Sequence, residues 1–274
     1  MPASMRVGAV EVVALSDGSF ARTPAQFMPD VPPEAWEQFR AQHLDADGNL
    51  RLNLGCFLVR TGTHTVLVDT GIGPHGSPTI PPGHLLEELR AAGVTPEEVE
   101  RVVITHMHAD HIGWNTVERA GRHVPTFPRA RYAIQWREWE YWTKQEAAQP
   151  LLLRAAYPLE RAGQLNLVDP NHHPVPELTM LPTPGHTPGH CCVLISSGGE
   201  HAVILGDVAH TPVQVTEPDW GIAADVDKDQ ARQSRRALWE RIEAEGLRVA
   251  AGHFPAPGFG RIVSLEGRRW WQAV

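Results

Sequence analysis

The sequence has few cysteines, no long apolar run and no excess of basic residues. Cysteine occurs three times in 274 residues, without the spacing of a disulfide framework, which excludes a disulfide-stapled fold. No apolar run reaches the roughly 18–20 residues needed to cross a bilayer. Residues 1–8 lack the basic and apolar segments of a signal peptide. We therefore expect a soluble, cytoplasmic protein with no membrane partner.

Basic charge is also in deficit, since 24 Lys+Arg oppose 32 Asp+Glu and the formal net charge is −8. This balance argues against a protein that holds a nucleic-acid backbone by charge, so no nucleic-acid partner is expected. Internal repeats and low-complexity tracts are absent from the sequence as well. The 42% of hydrophobic residues suffice for a sizeable core, and we expect one domain spanning residues 1–274.

Strand and helix patterns alternate along the chain. Strands dominate two stretches, roughly 7–70 and 165–206, and the first includes a hairpin of Leu52–Arg60 and Thr65–Asp69. Longer helices are predicted over four segments: Pro32–Leu44, from residue 136 to about Ala147, Leu151–Ala162, and Lys228–Glu245. This order fits a mixed αβ fold with two sheets inside and helices outside.

The densest cluster of candidate metal ligands follows a short buried strand predicted at Arg101–Thr105. It consists of His106, His108, Asp110 and His111, three imidazoles and one carboxylate within six residues. If strand geometry persists, His106 and His108 share a face, because alternate residues point the same way. A turn into a helix would swing Asp110 and His111 towards a second point nearby. Histidine nitrogen and carboxylate oxygen suit zinc, and also iron, manganese or cobalt.

Three distant segments repeat one arrangement, in which an apolar strand is followed by a small residue and then by one candidate ligand. These ligands are His186, Asp207 and His253, and each is preceded by glycine. Every such strand would place its ligand on the same rim of a sheet. Together with the run at 106–111, they supply the seven ligands that two adjacent metal ions need.

These motifs, in this order, resemble those of the metallo-β-lactamase superfamily. The matching segments are Val68-Asp69-Thr70-Gly71, the His-x-His-x-Asp-His run, Pro184-Gly185-His186-Thr187, Gly206-Asp207 and Gly252-His253. The resemblance extends over residues 66–253, nearly the whole of the predicted domain. It implies an αββα sandwich of two mixed β-sheets flanked by helices, with the site at the edge of the two sheets.

Carried over residue by residue, the resemblance implies a site for two divalent metal ions. The ligand sets would be His106, His108 and His186 for the first ion, Asp110, His111 and His253 for the second, and Asp207 as a bridge. Asp69 would orient a ligand histidine by accepting its other N–H. We expect zinc, with manganese, cobalt or iron as alternatives.

Such a site favours hydrolysis. A water shared by two cations loses its proton near neutral pH, because each positive charge stabilises hydroxide. We therefore expect a metal-bridging hydroxide to cleave an ester-type bond in a lactone, an organophosphate triester or an aryl ester. Asp110 is a candidate catalytic residue that could pass a proton to the leaving group.

The segments around Asp207 and His253 are similar to the methyl-parathion-hydrolase branch, which is related to the acyl-homoserine lactonases. In lactonases a tyrosine commonly follows the bridging aspartate by three positions and stabilises the oxyanion. This sequence has His210 at that position. We consider two roles for His210, a catalytic or substrate-contacting one and a supporting one in the loop. The resemblance also implies a homodimer.

Tryptophan is abundant, with nine residues. Trp136, Trp139 and Trp142 recur at three-residue spacing on the predicted helix after residue 135, and Trp114 directly follows the metal motif. An aromatic rim would suit a small ester-like substrate with an apolar or aromatic portion. The alternative for the helical trio is packing on the sheet or on a second subunit. Trp270 and Trp271 are expected to make packing or dimer contacts.

Other functions of the same fold stay open. They are a thioester hydrolase of the glyoxalase II type, a mononuclear iron oxidoreductase, a nuclease and a non-catalytic binding protein. His108 stands where flavodiiron proteins generally have glutamate, and the basic arm or second domain of the RNA-cleaving members is not visible. The complete ligand set argues against loss of catalysis.

Overall fold

Two mixed β-sheets lie face to face in the computed structural model, which describes residues 2–77 and 79–274. The strands of the first sheet, in spatial order, are β1 (Ser4–Val7), β2 (Val10–Arg22), β3 (Leu50–Arg60), β4 (Thr65–Val68), β5 (Arg101–Ile104), β8 (Arg131–Gln135) and β9 (Leu165–Val168). Those of the second sheet are β10 (Leu178–Pro182), β11 (Cys191–Ser197), β12 (Glu200–Ile204), β13 (Arg248–Ala250), β14 (Phe259–Leu265) and β15 (Arg268–Ala273). A separate hairpin pairs β6 (Thr116–Arg119) with β7 (Arg122–Pro125).

Helices cover the outer faces and fill the connections. The α-helices are α1 (Pro24–Phe27), α2 (Arg40–His43), α3 (Leu85–Ala91), α4 (Ala109–Ile112), α5 (Trp136–Thr143), α6 (Gln149–Ala155), α7 (Tyr157–Arg161), α8 (Val213–Thr216) and α9 (Lys228–Glu245). Among the residues that the structure describes, 3₁₀ segments occupy Pro33–Phe39, Pro96–Glu98, Gly113–Asn115 and Glu146–Ala148. Within the described ranges, no helix is both long enough and apolar enough to span a membrane.

Alternation along the strands explains how each sheet is buried on both faces. In β4, Val66 and Val68 point into the core between the sheets, while Leu67 packs under the helices outside. In β12, Ile204 faces the other sheet and Val203 packs against the side of α9. Successive strand residues point to opposite faces, so an apolar run can serve two layers at once. The predicted αββα sandwich is therefore confirmed.

Parallel pairing brings the functional strand ends together. β4 pairs in parallel with β5, and β12 pairs in parallel with β13. Because parallel strands finish at the same edge, the loops that follow these four strands meet on one rim of the sandwich. The predicted hairpin is also confirmed, since β3 pairs antiparallel with β4.

The helix predictions were partly right. The predicted bounds Lys228–Glu245 agree with those of α9, and Gly246 caps its C-terminus with a left-handed φ of 62°. The single helix predicted over Pro32–Leu44 was wrong, because a 3₁₀ segment precedes the short α2. The helix predicted over Leu151–Ala162 is interrupted at Ala156, two residues before a proline whose ring disfavours continuation.

Two further differences concern regular structure outside the predicted elements. The helix after residue 135 stops at Thr143, and only a 3₁₀ turn follows it. The hairpin of β14 and β15 was not predicted, although its strands pair over six positions. Trp271 of β15 lies against Phe254 with ring centroids 4.9 Å apart, so this tryptophan makes an internal packing contact.

Candidate metal centre

The candidate ligands come from the loops at the rim where the parallel strands end. β5 ends at Ile104, two residues before His106, and α4 begins directly after His108. Asp207 follows β12 by three residues and His253 follows β13 by three. The ends of neighbouring strands suit a site with several ligands, because the pairing of the strands holds these ends in fixed positions.

One glycine shows how tightly the rim is packed. Gly206 has a φ of 54°, and a Cβ there would lie 2.6 Å from His190 Nε2. A side chain at this position would be strained in its backbone and would collide with the imidazole. Glycine at position 206 therefore allows Asp207, which follows a strand of the second sheet, to lie close to the histidines that follow β5 of the first sheet.

The first group of candidate ligands consists of His106, His108, His186 and Asp207. His108 Nδ1 lies 3.0 Å from both His106 Nε2 and His186 Nε2. Asp207 Oδ2 lies 3.2 Å from His186 Nε2 and 3.5 Å from His106 Nε2. His106 and His108 thus converge although β5 has already ended, because they present different ring nitrogens.

The second group consists of Asp110, His111 and His253, with Asp207 beside it. His253 Nε2 lies 3.6 Å from Asp110 Oδ2 and 3.2 Å from Asp207 Oδ2. His111 Nε2 lies 3.3 Å from Asp207 Oδ1. Asp207 therefore contacts both groups, with one oxygen towards His111 and the other towards the first group and His253.

These spacings fit metal coordination. Ligand atoms about 2.0–2.1 Å from a tetrahedral zinc ion lie about 3.3 Å apart, close to the separations observed in both groups. Within the residues described, the buried atoms His111 Nε2 and Asp207 Oδ1 have no aligned hydrogen-bond partner. A buried polar atom without a partner is costly, and a cation between the two would satisfy both. The donor set therefore suits two divalent metal ions.

Three of the histidines are held through their second ring nitrogen. His111 Nδ1 lies 2.8 Å from Asp69 Oδ2, and His186 Nδ1 lies 2.9 Å from Asp225 Oδ1. His253 Nδ1 lies 2.7 Å from the carbonyl oxygen of Asn53. An acceptor on Nδ1 fixes the proton there and leaves Nε2 free as a ligand.

Asp69 also braces the loop that begins the metal motif. Its carboxylate accepts hydrogen bonds from the backbone N–H and the hydroxyl of Thr105, both at 2.8 Å. Asp69 has a φ of 61°, a conformation that aspartate tolerates better than most residues. The same side chain thus positions both His111 and the start of the His-x-His run.

The pKa values reflect crowded positive and negative groups. Burial lowers the pKa of His108 to about 3. Burial also acts to lower the pKa of His186, but hydrogen bonds to Asp207 and Asp225 outweigh it and raise that pKa to about 9. Burial acts to raise the pKa of Asp207, yet the positive charge of His111 and neighbouring histidines holds it well below its usual range. In the metal-free protein, protonated histidines therefore neutralise the carboxylates, a role that bound cations would take over.

His210 lies inside the centre. Its Nε2 is 3.0 Å from Asp207 Oδ2, and its ring stacks on that of His253 with centroids 5.2 Å apart. His210 Nδ1 is buried without a partner in the part of the chain that the structure describes. Burial lowers the pKa of His210 to about 4, so its neutral imidazole predominates near pH 7.

The predicted aromatic rim is only partly found. Phe20 lies 6.2 Å from His253 and Phe27 lies 5.5 Å from His210, and both rings are half-buried. Trp114 is buried in the core instead, where its indole N–H donates to Asp17 at 2.9 Å. Trp114 therefore packs inside the protein and does not contribute to an aromatic rim.

The three tryptophans of α5 have different environments. Trp136 is 36% exposed, whereas Trp139 packs on the core and against Tyr157. Trp142 reaches the centre, with its ring 5.2 Å from that of His108. Of the predicted trio, only Trp142 combines core packing with contact to a candidate ligand.

A cavity of about 220 Å³ is bordered by two residues of the centre, His210 and His253. A second cavity, of about 460 Å³, is bordered by Ser16, Asn53 and Pro255 among others, and Pro255 borders both cavities. The second cavity is large enough for the organic portion of a small substrate.

Several residues of the centre were not identified from the sequence. Asp225 and the carbonyl of Asn53 support ligand histidines, and His190 accepts the backbone N–H of Asp207 at 2.9 Å. Glu138 is fully buried beneath the metal motif. The repeat of Pro-Gly-His at 184–186 and 188–190 is a signal by which His190 could have been found. Nothing local distinguishes Glu138 from the other acidic residue of its helix.

The fold and the site together define a class, an αββα metallohydrolase with two adjacent groups of metal ligands on one rim. A family profile described as "Metallo-beta-lactamase superfamily" matches residues 55–253. The chain belongs to the metallo-β-lactamase superfamily. The predicted membership and the prediction of a metal-dependent hydrolase are thereby confirmed.

Relatives of known activity are similar along most of the chain. An N-acyl homoserine lactonase of Bacillus cereus is 29% identical over 226 residues, covering 75% of this chain and 83% of the relative. The N-acyl homoserine lactonase AttM of Azorhizobium caulinodans is 31% identical, covering 63% of this chain and 67% of the relative.

Solved structures agree with this grouping. AidC, described as a dizinc quorum-quenching lactonase, superimposes with a TM-score of 0.86 at 25% identity, covering 99% of this chain and 97% of AidC. A hydrolase named AbOPH superimposes with a TM-score of 0.84 at 27% identity, covering 99% and 96%.

Proposed function

We propose that this chain is a dinuclear metal-dependent lactonase that opens the ester bond of acyl-substituted lactones. The observation that carries the proposal is the position of Asp207, whose two oxygens contact two groups of histidines on one rim. The named lactonases among its relatives support the choice of substrate. Acyl homoserine lactones are therefore the first substrates to test.

The proposed ligands are drawn from three groups that lie close together in the structure, the third being Asp207, His210 and His253. His106, His108 and His186 would hold the first ion, Asp110, His111 and His253 the second, and Asp207 both. We propose zinc, because imidazole and carboxylate donors at these spacings suit it and because AidC is described as dizinc. Two bound cations would lower the pKa of a shared water and stabilise negative charge on the carbonyl oxygen.

Asp110 is proposed to manage the proton of the reaction. Its side chain is 19% exposed, whereas that of Asp207 is 4% exposed, so Asp110 is the carboxylate nearer to an approaching substrate. Burial acts to raise the pKa of Asp110, but the positive charges of His111 and His253 outweigh it and lower that pKa, so the side chain starts as a carboxylate. It would take up the proton of the attacking hydroxide and pass it to the leaving alkoxide as the ring opens. Asp110 would thus combine the roles of ligand and proton carrier.

His210 is proposed to act where related lactonases commonly have a tyrosine. A neutral imidazole can donate one hydrogen bond, and Nε2 faces the Asp207 carboxylate at 3.0 Å. Once Asp207 binds cations, that N–H could turn towards the developing oxyanion. The Phe27 ring beside His210 would keep this region apolar.

The apolar portion of the substrate is proposed to lie beside Phe20 and Phe27. Phe20 stands at the edge of the His253 ring, and the cavity of about 460 Å³ begins near the same strand at Ser16 and Ser19. An acyl chain there would lie close to the rings of His253 and His210, which Phe20 and Phe27 contact.

A substrate panel tests the proposal. Purified protein loaded with zinc, manganese or cobalt is assayed on a long-chain acyl homoserine lactone, an aryl phosphotriester, an aryl ester and a thioester. We expect the lactone to give the highest kcat/KM and metal-stripped protein to be inactive. Full activity after metal removal, or a thioester or phosphotriester preferred by tenfold or more, contradicts the proposal.

The remaining expectations stay proposals with their own measurements. Size-exclusion chromatography with light scattering tests the homodimer, and cell fractionation tests the cytoplasmic location. Limited proteolysis tests whether residues 1–274 form one domain. An oxygen-consumption assay with iron-loaded protein tests the alternative of a mononuclear iron oxidoreductase.

A further inference from the structure

The buried carboxylate of Glu138 lies directly behind one half of the candidate metal centre. Glu138 is in the first turn of α5, and its side chain has no exposure to solvent. Burial raises the pKa of this carboxyl group. A buried carboxylate is stable only when it is well supplied with hydrogen-bond donors or a charge partner, so its neighbours are informative.

Glu138 accepts hydrogen bonds from two different loops. Its Oε2 accepts the backbone N–H of Met107 at 3.0 Å, and its Oε1 accepts the backbone N–H of Gly189 at 2.8 Å. Gly189 also packs against the helix itself, since a Cβ there would lie 2.5 Å from the Glu138 nitrogen. One side chain therefore ties the His-x-His loop to the loop that carries His186.

Both loops supply ligands of the same group. Met107 lies between His106 and His108, and Gly189 lies three residues after His186. Of the second group, His111 is supported by Asp69 and His253 by the Asn53 carbonyl. The contacts of Glu138 are thus with the backbone of the first group's loops.

Trp142 adds a link from the same carboxylate to a ligand ring. Its indole N–H donates to Glu138 Oε2 at 2.8 Å. The indole ring also lies beside the His108 ring, with centroids 5.2 Å apart. The T-shaped geometry, with an interplanar angle of 68°, restricts how the His108 ring can turn. His108 has Nδ1 directed into the first group, so its orientation matters for that group.

We propose that Glu138 is a positioning residue that sets the geometry of the first metal group, His106, His108 and His186, without touching metal or substrate. This inference rests on the proposed dinuclear function. Three N–H groups point at the carboxylate, and glutamine would place an NH₂ group against at least one of them. The amide would therefore displace the loop of Met107 or that of Gly189, while the geometry of the second group would stay unchanged.

The experiment compares metal retention in wild type, E138Q and the control E140Q. Glu140 lies on the same helix but is exposed and pairs with Lys144, so its replacement controls for the loss of one negative charge. Zinc-loaded proteins are dialysed against a graded series of chelator, and zinc content is measured. We expect wild type and E140Q to hold two equivalents of zinc. E138Q should lose one equivalent at a chelator concentration about 10–100-fold lower than wild type does.

Urea unfolding of the metal-free proteins shows whether E138Q loses metal because its loops are displaced or because its whole fold is less stable. If E138Q retains both ions as wild type does, or if both ions weaken in parallel, the positioning role is overturned. If wild type itself binds fewer than two equivalents, the proposed dinuclear function fails, and the inference fails with it.

A second variant, W142F, removes a single N–H donor and keeps an aromatic ring, so it provides the test if E138Q does not fold. We expect the same selective loss in W142F, smaller in extent.

Discussion

At the residue scale, the candidate centre brings together side chains that would repel one another without a cation or protons between them. His108 Nδ1 has two other imidazole nitrogens at 3.0 Å, and burial keeps the pKa of His108 near 3. Lone pairs of neutral imidazoles repel at this distance, while a metal ion at their centre turns the same geometry into an attraction. The strongest tests therefore change one ligand atom at a time.

Replacement of Asp207 tests the bridge. In D207A both groups lose a ligand and the histidines lose their negative neighbour, so we expect metal content below one equivalent. A reduction in kcat/KM of at least about 1,000-fold should accompany it, since no serine or cysteine nucleophile is proposed as a substitute. Metal analysis and lactone assays measure both effects, with circular dichroism to verify folding. Two retained ions with near-normal turnover would contradict the assignment.

His210 variants distinguish a catalytic from a supporting role. We expect H210A to lower kcat about 100–1,000-fold if its N–H stabilises the oxyanion, with both metal ions retained. H210Y, which restores the residue commonly found in lactonases, should recover part of that loss. Steady-state kinetics and metal content are the measurements. Loss of metal in H210A at unchanged kcat per bound metal would instead assign His210 to support of Asp207.

Metal binding should depend on pH through the candidate ligands whose pKa is raised, which are His111, His186 and His253. The folded pKa of His186 is raised to about 9, above the unfolded value near 6.5, so this histidine carries a proton at pH 7–8 in the metal-free protein. A metal ion must displace that proton, and apparent affinity should weaken as the pH falls below about 9. Calorimetry in buffers of different ionisation enthalpy measures the released proton. Binding without proton release at pH 7.5 would refute this expectation.

The same pKa predicts how the metal-free protein responds to alkali. Because the folded pKa of His186 exceeds its unfolded value, its contribution to stability is fully present below about pH 6.5 and is lost as the pH rises through about 9. H186N should abolish this component. Urea unfolding of metal-free wild type and H186N at pH 6 and pH 9 measures it, and identical pH dependence in both proteins would argue against it.

At the element scale, α9 supports the loop that carries Asp207. Arg235 is fully buried, and its guanidinium donates to the carbonyl oxygens of Val208, Pro218 and Trp220. Burial lowers the pKa of Arg235 to about 10, which still leaves it charged near pH 7. One side chain thus satisfies three carbonyls in a loop that forms little regular structure.

Removal of that guanidinium should destabilise the protein. In R235M the carbonyls of Val208 and Pro218 lose this donor, while that of Trp220 keeps a hydrogen bond from the Gln214 side-chain amide at 2.7 Å. We expect a loss of at least about 3 kcal/mol in the free energy of unfolding. R236A is the control, because Arg236 is exposed and pairs with Asp219 in solvent, so its replacement should lower the stability much less. Urea denaturation of both variants tests the difference. Equal effects would show that the buried hydrogen bonds of Arg235 contribute little.

At the scale of the whole molecule, the centre joins the two sheets. His106 and Asp69 follow strands of the first sheet, while Asp207 and His253 follow strands of the second. A cation shared between Asp207 and the histidines of the other sheet would therefore link the two halves of the sandwich. Anything that binds only the folded state stabilises it by mass action.

Metal removal should lower the stability of the entire sandwich. With free metal at 1,000 times its Kd, one bound ion adds about 4 kcal/mol to the free energy of unfolding. We expect chelator to lower Tm in a single cooperative transition, and added zinc to restore it. Differential scanning calorimetry with and without metal provides the measurement. A Tm that is unchanged by chelation would indicate that no ion joins the two sheets.

The sequence by itself determined the fold class and the seven candidate ligands. Apolar strands that alternate between two buried faces predict layers, and a ligand placed after each strand predicts a common rim, because these are properties of local order and spacing. The 3₁₀ segment at Pro33–Phe39 and the interruption at Ala156 escaped this reasoning, because short-range geometry and tertiary packing decide them. The β14–β15 hairpin escaped for a similar reason, since its strands gain stability from pairing at the edge of an existing sheet.

Only the tertiary structure decided what surrounds the ligands. Asp225 lies 39 residues from His186, and Asn53 lies 200 residues from His253, so no spacing rule links either pair. Glu138 resembles any other helical glutamate until the fold brings two loops onto its carboxylate. The candidate ligands belong to strand ends that the sequence pattern reveals. Their supports belong to contacts that exist only once the two sheets have packed.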